Sequence, residues 1–182
     1  MDTKTFLLMK NFYVITGGPG VGKTSLINEL EKLNFSVIPE SAREIIKNET
    51  AHGGQGLPWK DKALYAMLML EAEIESYNAL SGCDSEIYFF DRGIIDTVCY
   101  AGMAGIGVSE EMDSLAKKLR YNRKVFILPP WKEIYHTDSE RKQSWEEALL
   151  TFAKMMEAYA EYGYELIEVR MGTVENRARF II

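Results

Sequence analysis

Short runs of apolar residues alternate along this chain with longer stretches in which apolar positions recur every three or four residues. The first short run is 12–16 (FYVIT), and others fall at 35–39, 86–91, 124–128 and 165–169. Runs of this length, rich in β-branched and aromatic residues and mostly apolar, predict strands buried on both faces. The longer stretches predict helices. One follows the first run and carries Leu26, Ile27, Leu30 and Leu33 on one face. A second covers 59–80 with Met67, Leu70, Ile74 and Tyr77, and a third covers 144–162 with Trp145, Leu149, Phe152, Met156 and Tyr159. Shorter helices are expected near 94–101 and 110–120 and from Thr173 onward. Ser41 with Glu44, and Ser144 with Glu147, have the spacing of capping boxes. Glycines and a proline mark 50–58 as a loop, Gly53-Gly54-Gln55 included. Strands that alternate with helices in this way give an α/β protein with a parallel sheet covered on both sides. Ligands bind at the carboxyl ends of such strands, so chemistry is to be sought there.

The turn after the first strand carries the strongest signal. Gly17-Gly18-Pro19-Gly20-Val21-Gly22-Lys23-Thr24 fits G-x-x-x-x-G-K-[ST] in full, between a predicted strand and a predicted helix. Glycines let backbone N–H groups curl around a phosphate without Cβ clashes, and the helix N-terminus adds positive potential. Lys23 would reach the β- and γ-phosphates, and the Thr24 hydroxyl would ligate Mg²⁺. The phosphate-binding stretch is 17–25, closing on Ser25.

Composition narrows the partners. The chain has 182 residues, a length that suits one domain, with 21 Lys and Arg against 27 Asp and Glu, a net charge of −6. That balance argues against nonspecific nucleic-acid binding and against docking on an anionic membrane. No run approaches the roughly 20 apolar residues of a membrane span. Two cysteines, Cys83 and Cys99, and two histidines, His52 and His136, lack zinc spacing, and the cysteines read as buried thiols. The expected location is cytoplasmic. No protein partner is legible.

Carboxylates close two other strands. The third ends on Asp91, where P-loop proteins place the Asp that holds Mg²⁺, although a residue there also suits a helix cap. Arg92 follows and can neutralise an acceptor or phosphate anion. Asp96, one turn on, reads as a solvated helix residue. Glu40 ends the second strand, at the edge that carries the P-loop. From there it can take the proton of a hydroxyl attacking the γ-phosphate, or it is simply a neighbour of the Ser41 cap. Arg43 faces the same cleft or solvent. The polar segment 129–143 has the character of a lid, and Arg141 within it is the candidate for stabilising the transferring phosphoryl group. Arg120 and Arg123 are the runners-up. The Met171-Gly172-Thr173 turn passes beside a nucleobase or caps the last helix.

Guanine-specificity N-K-x-D, a D-x-x-G after the third strand and LSGGQ are all missing. What remains resembles the nucleoside- and nucleotide-kinase branch of P-loop proteins. More closely, the whole chain resembles a small predicted-ATPase family of AAA-like P-loop domains, related to the ribosylnicotinamide-kinase domain of a bacterial NAD-biosynthesis regulator. Beyond the P-loop, the resemblance is carried by Val37-Ile38-Pro39-Glu40-Ser41-Ala42-Arg43-Glu44, Phe90-Asp91-Arg92-Gly93, Pro129-Pro130-Trp131, Glu140-Arg141 and Gly163-Tyr164-Glu165-Leu166. It implies a single domain over 1–182, a five-stranded parallel sheet in the order 2-3-1-4-5, ATP and Mg²⁺ as cofactors, and phosphoryl transfer to a small, nucleoside-like hydroxyl compound. Lys23, Glu40, Asp91 and Arg141 would be catalytic, with Glu40, Arg43 and Arg92 near the acceptor and Thr24 and Asp91 at the metal. The chain departs from the kinase relatives in having Arg141 nearly alone beside Lys142, and in having Glu40 where ribosylnicotinamide kinases tend to carry Asp. The alternative is a nucleotide-hydrolysing switch with no small-molecule acceptor.

Overall fold

The computed structural model describes residues 7–8, 11–83, 86–135 and 144–182, with only the backbone of 7–8. In chain order the elements are β1 Phe12–Gly17, α1 Lys23–Lys32, β2 Ser36–Ile38, α2 Ser41–His52, α3 Lys62–Ala79, β3 Tyr88–Asp91 and α4 Ile94–Met103. They continue with α5 Glu110–Lys118, β4 Lys124–Leu128, a 3-10 turn at Lys132–Ile134, α6 Trp145–Glu161, β5 Glu165–Glu168 and α7 Val174–Ile181. The five strands are all parallel and lie in the order β2-β3-β1-β4-β5, as the resemblance implies. A separate two-residue pairing, Leu7–Leu8 with Leu119–Arg120, was not foreseen.

Alternation along β1 divides the core into two layers. Phe12 and Val14 join Phe90, Tyr77, Ile94 and Ile95 under α3 and α4, whereas Ile15 joins Phe89, Phe126, Leu26, Leu30 and Ile181 under α1 and α7. Side chains at successive strand positions point to opposite faces, so a strand apolar at every position must be covered twice. Register then sets the site: Ile15 pairs with Asp91 and Gly17 with Leu128, which brings the carboxyl ends of three strands to one edge.

Several local expectations need correction. The residue that caps α2 is Glu40, in extended backbone. Ser41 is already helical, and no reciprocal Ser41–Glu44 box forms. Helix α2 runs to His52, so the loop begins at Gly53. Helix α3 starts later than expected, after Asp61, whose carboxylate accepts from the Leu64 N–H at 2.9 Å. Its buried residues are Tyr65, Ala66, Met69, Leu70 and Tyr77, while Met67 is 54% exposed. In α6 the Ser144–Glu147 box is present, but Ala148, Met155 and Tyr159 are buried and Leu149 and Met156 are exposed. Adjacent helical residues lie about 100° apart, so the sheet accepts only one of each apolar neighbour pair. Leu33 is exposed because α1 ends at Lys32. Cys99 is buried as expected, whereas Cys83 is exposed.

Candidate active site

The loop between β1 and α1 turns through Gly20 and Gly22, both with positive φ. Gly22 caps α1 at φ +78, and a Cβ there would stand 2.8 Å from Nη1 of Arg177. Only glycine fits this position on both counts. No side chain caps α1, so the first N–H groups of the helix remain free to meet an anion. Lys23 opens the helix and is only 7% exposed. Its ammonium donates to Asp91 Oδ1 and lies 3.6 Å from Glu40 Oε2. Thr24, Glu40, Arg43 and Asp91 border a hollow of about 220 Å³ beside the loop. A hydroxyl and carboxylates are the hard oxygen donors that Mg²⁺ takes, its other positions being filled by water and phosphate oxygens. Among the described residues, no group of three or more His, Cys, Asp or Glu forms a self-sufficient metal cage.

The strand-end turn Asp91-Arg92-Gly93 is bound tightly. Arg92 adopts φ +76, a strained conformation for a residue with a side chain, and its N–H donates to the Ile15 carbonyl at 3.0 Å. A Cβ at Gly93 would press on Tyr121 and Val14 at 3.1 Å. From this turn the Arg92 guanidinium donates to Glu40 Oε1 at 2.7 Å and to Asp96 Oδ1 at 3.2 Å. Asp96, read from sequence as solvated, is in fact buried. It also accepts from Thr16 Oγ1 and the Tyr159 hydroxyl, each at 2.5 Å, and from the Gly93 N–H at 2.9 Å. The carboxylate thus ties β1, α4 and α6 to the turn that presents Asp91 and Arg92.

Burial pushes the Glu40 carboxyl up, but the charges of Arg92 and Lys23 outweigh it and hold Glu40 below the usual carboxylate value. For Asp91 burial prevails, and the carboxyl lies above its usual value despite Lys23. Arg92 is held more firmly protonated by Glu40, Asp96 and Asp91, in spite of its burial. Two carboxylates in one site are therefore pushed in opposite directions.

Glu40, Asp91 and Arg92 stand at one end of a cavity of about 510 Å³ that extends from Pro19 between α2, α3 and α4. Tyr65, Tyr100, Met69 and Met103 wall it, and Glu73, Thr97 and Tyr121 also line it. Glu73, partly buried, accepts from Thr97 Oγ1 at 3.0 Å to either oxygen. Burial, then the charge of Asp96, raises its pKa to about 8. A carboxyl with a raised folded pKa contributes most below its unfolded value, and that stability is lost as pH climbs from about 4.5 to about 8. Glu73→Gln is therefore expected to melt above the wild type at pH 8 and to lose that margin at pH 5. Thermal melts at both pH values check this, and equal margins would refute it.

Of the residues singled out from sequence, Lys23, Glu40, Asp91 and Arg92 meet in direct contact, and Thr24 and Arg43 border the adjoining hollow. Arg120 lies over the Tyr164 ring at 4.0 Å, turned to packing. Thr173 caps α7 by accepting from Asn176 N. His52 bonds the Asn48 carbonyl at 2.8 Å in α2. Arg141, His136 and 136–143 of the expected lid lie outside the described residues. Arg177 escaped notice in the sequence. It is 4% exposed, donates from Nη2 to the Val21 carbonyl at 2.9 Å, and stands 5.9 Å from the centre of the Trp131 ring. It reaches the P-loop from α7, across 156 positions of sequence.

Among solved structures, this fold is similar to that of NadR protein in complex with NR, with a TM-score of 0.66 and 22% identity over 95% of this chain. The chain spans about half the length of that protein, 50%. Thymidylate kinase from Ehrlichia chaffeensis aligns at TM-score 0.62 and 18% identity over 94% of this chain and 96% of its own. Shikimate kinase from Acinetobacter baumannii in complex with shikimate aligns at 0.53 and 19% identity over 98% and 92%. At these identities the likeness is one of fold. No curated protein matches the chain in sequence. A family model does match, over residues 12–177, and with nearly the whole described chain inside it the protein belongs to the AAA domain family of P-loop proteins.

Proposed function

We propose that this chain is an ATP- and Mg²⁺-dependent phosphotransferase acting on a small hydroxyl-bearing, nucleoside-like acceptor. The observation that carries this reading is the cavity of about 510 Å³ that opens beside the P-loop and has Glu40, Asp91 and Arg92 at its phosphate end. A hydrolytic switch has no use for an aromatic-walled pocket adjoining the phosphates, and 300–1,000 Å³ is roughly the size range of small-molecule sites. Likeness of fold to proteins named as kinases agrees with it. No helix among the described residues is long and apolar enough to cross a membrane, in keeping with a cytoplasmic setting.

In this mechanism the loop amides and the free N–H groups of α1 hold the phosphate chain, and Lys23 leaves Asp91 to meet the β- and γ-oxygens. Mg²⁺, held by Thr24 with Asp91 behind it, would neutralise charge on those oxygens. The acceptor hydroxyl lies against Glu40. Its oxygen bonds to the γ-phosphorus as the bond to the β–γ bridging oxygen breaks, ADP leaves with the electron pair, and the hydroxyl proton passes to Glu40. A carboxylate held below its usual pKa is a weak base, so Glu40 first orients the hydroxyl and takes its proton late, as phosphoryl attachment acidifies that oxygen. Arg92 fixes Glu40 and lends positive charge beside the transferring group. The chain would work as one unit, with 129–143 as its cover.

The test is ADP release from Mg·ATP with and without a pooled library of nucleosides and related small metabolites. Release that requires the pool supports the phosphotransferase, and deconvolution names the acceptor. Tight ATP binding with no pool-dependent release favours the switch.

A further inference from the structure

Two arginines stand beside the phosphate loop, in opposite electrostatic surroundings. Arg92 lies among carboxylates: it donates to Glu40 at 2.7 Å and to Asp96 at 3.2 Å, and their charges hold it protonated. Arg177 is deeply enclosed, at 4% exposure, and among the described residues no carboxylate pairs with it. Burial alone acts on its pKa and pulls it down. A guanidinium carries five N–H donors. Among the described residues that of Arg177 makes one hydrogen bond, from Nη2 to the Val21 carbonyl at 2.9 Å, and Nε is enclosed without a partner. Its other neighbours are neutral. A Cβ on Gly22 would stand 2.8 Å from Nη1 and 3.3 Å from Ile134 Cδ1, and the Trp131 ring centre is 5.9 Å from the guanidinium. A buried charge with no counter-charge is costly to a fold, and an arginine cannot shed its proton to escape that cost. Its position supplies the reason it is tolerated. The guanidinium abuts Gly22, the residue that begins α1, and no side chain caps the first N–H groups of that helix. The bond to Val21 fixes the loop, and the charge adds to the positive potential of the helix end. Neither effect requires Arg177 to touch a phosphate, because the field of an enclosed charge is little screened.

We propose that Arg177 is a positioning residue of the nucleotide site, whose enclosed and unpaired charge is balanced by the phosphates that the loop takes up. In the ligand-free protein this charge opposes folding, and with nucleotide bound it becomes an attraction. Arg177 thus exchanges stability of the empty protein for affinity, as preorganised charges at binding sites do. The inference rests on the phosphate half of the function proposed above and is indifferent to the acceptor.

Calorimetric titration of the full chain tests this, with Mg·ATP and with tripolyphosphate, which presents phosphates without base or sugar. Thermal melts with and without ligand accompany it. The neutral variants Arg177→Met and Arg177→Gln are expected to bind both ligands about tenfold more weakly, and Arg177→Lys to recover most of the loss. Without ligand the neutral variants should melt no lower than the wild type, and at a fixed ATP concentration they should gain less in Tm. An arginine held for packing alone gives the reverse: neutral variants that melt lower when empty yet bind as the wild type does. That pattern, or failure of both neutral variants to fold, overturns the proposal. Arg177→Lys binding as weakly as the neutral variants also overturns it, because the charge would then contribute nothing. Wild-type protein that binds neither ligand removes the nucleotide reading and this inference together. Binding that responds as expected without acceptor-dependent ADP release supports this inference and sinks the phosphotransferase reading alone.

Discussion

Lys23→Ala is expected to lower nucleotide turnover about 10²- to 10³-fold, the scale of losing one preorganised charge at a reacting phosphoryl group. The Lys23 side chain is almost wholly buried, at 7% exposure, where a charge acts through less solvent screening than at the surface. The substitution has a second effect through Asp91, whose carboxyl burial already pushes up while Lys23 restrains it. Without the ammonium Asp91 rises further. A raised folded pKa means stability that falls as pH climbs through it, so the variant should lose more against the wild type at pH 8 than at pH 5. Turnover assays and melts at both pH values read the two effects separately. Turnover within tenfold of the wild type would remove Lys23 from the phosphate site.

Asp96→Ala is expected to cost about 3–5 kcal/mol, the range for removing one partner from a buried charged pair. Its oxygens accept from Thr16, Tyr159, the Gly93 N–H and Arg92, and the alanine leaves the first three as enclosed donors with nothing to meet. Asp96→Asn keeps one acceptor oxygen and should fall between. Urea denaturation gives the difference, and a loss below about 1 kcal/mol would show that the network adds little to stability. Arg92 then loses its second anchor, so acceptor-dependent turnover should fall together with stability.

What the sequence discloses is what lies in consecutive residues. Eight neighbours from Gly17 to Thr24 carry the phosphate loop, and the turn that follows β3 carries Asp91 and Arg92. The strands were legible because coverage on both faces keeps most of their positions apolar, the central β1 above all, while the edge strand β5 carries Glu165 and Glu168 at its ends. Asp96 was misread because its helix gives no hint that Thr16, 80 positions earlier, and Tyr159, 63 positions later, converge on it. Glu73 was passed over because it stands between Glu71 and Glu75 on one helix, and only the packing of α4 distinguishes it from them. Arg177 is one cation among several near the end of the sequence until α7 closes against the loop. Met67, Leu149 and Met156 fail for a different reason, since each has an apolar neighbour at its side or two positions away and local pattern does not fix which one the sheet takes.

The place of β1 at the middle of the sheet bears on how the molecule assembles. Its two partners begin at Tyr88 and Lys124, so neither pairing closes a short loop, and the strand that leads into the phosphate loop has no neighbour to zip against as it collapses. The stretch most easily recognised in the sequence therefore depends for its shape on remote partners, Arg177 at the Val21 carbonyl among them. The shape of the loop is thus a property of the finished fold, even though its residues are neighbours in the sequence.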